Sequence, residues 1–174
     1  MSKIQVKIKY LYPFSEDKKL KIIPEGDGID VRSAIEYYPK APYVDHSGDV
    51  IFDFALIPLG FCLELPPGFK ADLKPRSGSF KKWGFVQTNS PGLIDFEYNS
   101  DTDEWKLPCL FLKEGTEGPI KVGDRIGQFE IILSQKATSE QKKLWLESDG
   151  FEFVEVEHLE GSPRGGFGEC TGTN

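Results

Sequence analysis

Apolar positions in this chain come in short runs, and several alternate with polar ones. Ile4, Val6 and Ile8, and again Phe151 and Phe153, have the two-residue period of a strand buried on one face. The runs span residues 3–10, 19–23, 50–58, 60–65, 69–74, 105–112, 126–133 and 151–156. The 18 glycines and 12 prolines stand between runs as punctuation, with turns expected at Pro66-Pro67-Gly68 and at Pro91-Gly92. Regularly spaced short strands of this kind predict an all-β sandwich or barrel. One segment breaks the pattern. Thr138 followed by Gln141 has capping-box spacing, and Gly150 can close the far end, so a short helical insert is expected over about 138–149.

Composition narrows the function classes. At 174 residues the chain is one domain, and 39% hydrophobic residues with 13% aromatics exclude disorder. No run approaches the roughly 18 apolar residues of a membrane span, and the charged start MSKIQVKIKY has no signal-peptide core, so a soluble, cytoplasmic protein without a membrane partner is expected. The net charge of −7 argues against nucleic acid as a partner. Cys62, Cys109 and Cys170 are odd in number and far apart, which disfavours a disulfide framework or a clustered metal site. Seventeen of the 21 basic residues are lysine. The four arginines, Arg32, Arg76, Arg125 and Arg164, therefore stand out as places where a planar, bidentate donor is required.

Four segments carry candidate chemistry. Pro75-Arg76-Ser77-Gly78-Ser79-Phe80 supplies a guanidinium fork, a hydroxyl and an unhindered backbone N–H, which can cradle a phosphate or simply turn the chain after a strand. The segment 89–98 sets Asp95 and Tyr98 around a Gly-bearing hairpin, where Asp95 is either a general base or a turn-capping residue. In Gly123-Asp124-Arg125-Ile126-Gly127-Gln128, Asp124 and Arg125 offer a local ion pair ahead of an apolar strand. The tail from Arg164 to Gly172 is either a frayed terminus or a flap that orders on a nucleotide, with Phe167 stacking on a base.

These segments, the first extended through Lys81-Lys82-Trp83 to Gly84, together with Gly28-Ile29-Asp30-Val31-Arg32-Ser33-Ala34, resemble the five ordered motifs of the trimeric dUTPases, from about residue 20 to 172. Each of the four arginines falls inside one of them. The resemblance implies a jelly-roll β-barrel or sandwich that forms a homotrimer and hydrolyses dUTP to dUMP and pyrophosphate, with Mg2+ on the triphosphate. It also implies a β domain over residues 1–162 and a glycine-rich flap over 163–174.

The residue roles that follow are likewise implied. Asp95 would activate the water that attacks the α-phosphorus. The hairpin containing Asn89, Gly92 and Ile94 would pair with uracil and leave no room for a 5-methyl group, and Tyr98 would exclude a 2′-hydroxyl. Ser77, Gly78 and Gln128 would hold phosphate oxygens, with Arg76 assisting. Asp30 would reach Mg2+ through its waters. Gly166, Phe167 and Gly168 would close over the base, and Arg164 with Thr171 would clasp the γ-phosphate. Residues 99–104 are longer and more polar than the family pattern and are expected to be an elaboration without a chemical role. The helical insert is expected to be solvated, a surface for another protein being the alternative. Two rival readings remain. A dCTP deaminase would need a glutamate on the strand after the Asp95 hairpin, where 105–112 has no acidic residue. A catalytically idle relative would act as a regulatory binding protein.

Overall fold

The computed structural model describes residues 2–166. In chain order the elements are β1 (Ile4–Tyr10), β2 (Ile29–Arg32), β3 (Tyr43–Val44), β4 (Val50–Ile51), β5 (Asp53–Pro58), β6 (Phe61–Glu64), β7 (Phe69–Pro75), α1 (Ser79–Trp83), β8 (Phe85–Gln87), β9 (Gly92–Ile94), β10 (Lys106–Phe111), β11 (Arg125–Leu133), α2 (Ser139–Leu146) and β12 (Phe151–Glu155). They form sheets ordered β12-β1-β6, β5-β10-β8 and β2-β11-β7-β9, with a separate hairpin β3-β4. Among the described residues only the β1–β12 pair is parallel; the other ladders are antiparallel. This is the expected all-β jelly-roll class with one short helical insert.

The alternation read from the sequence is what the core uses. Ile4, Val6 and Ile8 of β1 are buried while their neighbours are less so. Trp105 lies at the centre of an aromatic cluster, 5.4 Å from Phe61 and 5.0 Å from Phe129 between ring centroids, while Phe85 meets Phe111 at 5.7 Å. Such edge and tilted contacts add about 0.5–1.5 kcal/mol each beyond the area they bury. All five rings are at most 1% exposed, and the three larger sheets all contribute to this one core.

A bulge positions the phosphate-type turn. The β2–β11 register shifts between Arg125 and Gly127, which throws the Ile126 carbonyl out of that ladder. The Arg76 backbone N–H and the Ser79 hydroxyl both donate to that oxygen, pinning the start of α1 against β11.

Three expectations change. Residues 19–23 form no strand: the Leu20 N–H donates to the Tyr10 hydroxyl and Lys19 pairs with Glu16 and Glu155, leaving Ile22 and Ile23 exposed. The run 50–58 divides at Phe52 into two strands that belong to different sheets. The helix does carry both halves of the Thr138–Gln141 capping box but ends at Leu146, with Glu147 donating back to Lys143; Gly150, at φ +85°, instead turns the chain into β12. Trp145 stacks on Phe151 at 4.8 Å and meets Phe69 edge-on at 5.8 Å, so the insert is docked on the sheet. Among the described residues no helix is long and apolar enough to cross a membrane.

Candidate active site

β9 is an edge strand, paired with β7 through Ala71–Ile94, Asp72–Leu93 and Leu73–Gly92. Its other side has no strand partner among the described residues, and a cavity of about 280 Å³ opens there. Asn89, Gly92, Ile94, Asp95, Tyr98, Arg164 and Gly166, seven of the residues expected to touch substrate, all line it. The Tyr98 N–H closes a turn onto the Asp95 carbonyl, which carries the carboxylate just past the end of β9. The Asp95 side chain is 47% exposed, so a water can reach it. The Tyr98 hydroxyl donates to the Glu104 carbonyl at 3.0 Å, which fixes the ring in the cavity lining beside Gly166.

Residues 99–104 have a definite task. Asp103, 2% exposed, accepts from the Ser100 N–H and from the Arg164 N–H. Asp101 accepts from the Leu159 N–H at 2.7 Å and meets Lys9 and His158 at 2.8 Å. The Leu159 N–H, Lys9 and His158 together hold the Asp101 carboxyl well below the usual carboxylate range. The polar loop thus straps the C-terminal segment across the fold and delivers Arg164 to the hairpin. Arg164 donates to Asp95 at 3.4 Å and lies 3.6 Å from Glu97.

Arg76, Ser77 and Gly78 lie elsewhere. They line a second cavity, of about 360 Å³, with Arg32, Lys82 and Arg125 supplying further positive charge and Asp124 a carboxylate. Arg125 pairs with Asp30 at 3.2 Å, and Arg76 also pairs with Asp30. The expected Asp124–Arg125 ion pair is therefore replaced: Asp124 accepts the Lys121 N–H instead. Gln128 faces Asp30 across the β2–β11 ladder and crowds Gly28. The two cavities share no lining residue. Phe167, Gly168 and Thr171 lie outside the described residues.

Several lining residues carried no sequence signal. Lys106 and Trp105 enter the hairpin cavity at the start of β10, a run read only as core. Gln87, at the end of β8, is buried beside the hairpin. Cys62 and Cys109 are free, and burial pushes the Cys62 thiol up to about 12, so it holds no nucleophilic charge at neutral pH. Among the described residues no three His, Cys, Asp or Glu side chains are placed to hold a metal.

No protein-family model matches the chain. It is 36% identical over 170 residues to the SPbeta prophage-derived deoxyuridine 5′-triphosphate nucleotidohydrolase YosS of Bacillus subtilis, covering 98% of this chain and 99% of that one. The deoxyuridine 5′-triphosphate nucleotidohydrolase of Rickettsia akari is 34% identical over 169 residues, 97% of each chain. Among solved structures, the dUTPase of Streptococcus mutans superposes with a TM-score of 0.59 at 18% identity over 76% of this chain and 99% of that one. A dUTPase from phage phi11 of S. aureus, whose structure describes coordination of a structural Mg(II) ion, gives 0.55 at 16% identity over 76% and 93%.

Proposed function

The chain belongs to the dUTPase family, and from that premise we propose that it hydrolyses dUTP to dUMP and pyrophosphate at the edge-strand hairpin. The observation that carries this reading is the joining, in one cavity, of a solvent-reachable carboxylate, a pinned tyrosine and an unpaired strand edge. The free edge of β9 presents backbone N–H and C=O groups that match the alternating donors and acceptors of uracil. The Tyr98 ring packs under the deoxyribose. Asp95 takes a proton from a water whose oxygen attacks the α-phosphorus; the α–β bridging P–O bond breaks and pyrophosphate leaves. Arg76, Ser77 and Gly78 receive the phosphates, with Gln128 on the adjoining strand β11 opposite Asp30, and Arg164 with Thr171 holds the far end under a flap of Gly166, Phe167 and Gly168.

Since the hairpin and basic cavities are separate in one chain, a complete site needs a second copy. An apolar row on the outer face of the β5-β10-β8 sheet, Phe54, Leu110 and Val86 in register, with Phe54 half exposed, is suited to such contact. We read the assembly as a homotrimer acting on the cytoplasmic nucleotide pool. Mg2+ belongs to this reading as a passenger on the triphosphate, where it neutralises charge. Asp30 is the residue that would meet it, and its pairing with Arg76 and Arg125 suits contact through metal-bound water better than a direct bond. Against deamination, β10 carries no acidic residue.

The test is hydrolysis of dUTP by purified protein in ¹⁸O-labelled water. Label in dUMP, with uracil intact, is the expected result. Label in pyrophosphate, conversion of the base, or no turnover overturns the reading.

A further inference from the structure

We infer that Gln87 is a positioning residue for base selection: its buried amide sets which end of the Asn89 amide faces the nucleotide, so that the hairpin offers a donor and prefers uracil to cytosine. The inference rests on the hairpin cavity being the dUTP site.

Gln87 closes β8 and is 6% exposed. Its Nε2 donates to the Leu73 carbonyl at 3.0 Å and to Asn89 Oδ1 at 3.1 Å. The first contact decides the second. A backbone carbonyl can only accept, so the amide end of Gln87 that faces it must be Nε2. The same nitrogen, now committed as a donor, can face only an acceptor on Asn89. Reversing Asn89 would set one NH2 group against another. Leu73 pairs with Gly92 on the outgoing arm of the hairpin and Asn89 lies on the incoming arm, so a single side chain ties both arms together. Gly92 makes room for it: a Cβ there would stand 2.9 Å from Gln87 Nε2.

The arrangement has a cost that packing alone does not explain. Gln87 Oε1 is buried without a hydrogen-bond partner among the described residues. A leucine would fill similar space without an orphaned acceptor, so the amide is retained for what its nitrogen does. What it leaves over is Asn89 Nδ2, which has no partner among the described residues, on a side chain that lines the cavity. Uracil and cytosine differ at C4, a carbonyl acceptor in one and an amino donor in the other. An NH2 group held toward that position matches uracil and opposes cytosine.

The experiment compares kcat/KM for dUTP and dCTP in the whole protein. Wild type should favour dUTP. Gln87→Leu should lower the dUTP/dCTP ratio at least about tenfold, with the loss in KM for dUTP more than in kcat. Asn89→Ala should lower the ratio comparably, and adding Gln87→Leu to it should lower the ratio no further, whereas a merely structural Gln87 would add its own loss. Asn89→Asp, on the exposed hairpin and safe for folding, presents an acceptor instead and should shift preference toward dCTP. An unchanged ratio in Gln87→Leu, additive losses in the double variant, or no shift in Asn89→Asp overturns the inference while leaving dUTP hydrolysis standing. A wild type without preference for uracil overturns the functional reading itself.

Discussion

At the scale of single residues the proposed chemistry turns on Asp95 and Tyr98. Glu97 is near Asp95 but more exposed, at 70% against 47%, and outside the hairpin cavity, so the two carboxylates are separable by experiment. Asp95→Asn keeps the size and hydrogen-bonding reach of the side chain but cannot accept a proton from water. Its turnover should fall roughly 10²–10⁴-fold with dUMP binding retained, checked by single-turnover kinetics and calorimetry, while Glu97→Gln should remain far closer to wild type. Tyr98 is held by its hydroxyl on the Glu104 carbonyl, so its ring is a fixed wall. Tyr98→Ala should raise kcat/KM for UTP relative to dUTP; equal treatment of the two sugars by wild type would remove this role. Asp95 and Tyr98 were legible through the resemblance of residues 89–98 to a family motif, since the local pattern alone left Asp95 as either a general base or a turn-capping residue. Gln87, Trp105 and Lys106 were not, because their places depend on strands brought together from distant parts of the chain, and nothing in FVQ or EWKL announces that contact.

Elements show the same division between local and distant information. A long alternating strand such as β1 could be read, since seven residues display its period, and β11 could be read as a long apolar run. β8 and β9, with three residues each, cannot display one, yet they carry the hairpin. The capping box of α2 was legible from Thr138 and Gln141 alone. Thr138→Ala should destabilise the protein by about 1 kcal/mol, lowering Tm by roughly 2–4 °C in calorimetry. The strap at 99–104 has a different signature. Asp101 is held below the usual carboxylate range, chiefly by the Leu159 N–H, then by Lys9 and His158. A lowered folded-state pKa adds stability that is complete above the unfolded value, about pH 4, and fades as pH falls through the folded value. Asp101→Asn should therefore be less stable than wild type at pH 7 and pH 5, and the two unfolding curves should converge below pH 4. A constant difference down to pH 2 would show that the charge is not what anchors residues 158–159.

At the scale of the whole molecule, one chain holds two separate cavities, each with part of what the proposed nucleotide site requires. The hairpin cavity has the carboxylate and the strand edge; the basic cavity has Arg76, Ser77, Gly78 and most of the nearby positive charge. If closed threefold symmetry brings the hairpin of each chain to the basic cavity of the next, two dead variants should restore one another. Asp95→Asn lacks the base in every site of its own trimer, and Arg76→Ala lacks the phosphate fork in every site of its own. In any ring containing both kinds of chain, one junction must join the hairpin of an Arg76→Ala chain to the basic cavity of an Asp95→Asn chain. That junction has every group it needs. The other two lack one or both. Co-refolded mixtures should therefore recover roughly a third of wild-type activity per mixed trimer, whichever variant predominates in the ring, as heterologous contacts in a cyclic assembly require. Native mass spectrometry counts the mixed trimers, so inactivity can be told from failure to mix. Mixed trimers that form and stay inactive would mean that each chain folds its own two cavities into one site, and that the apolar row at Phe54, Leu110 and Val86 joins copies without completing their chemistry.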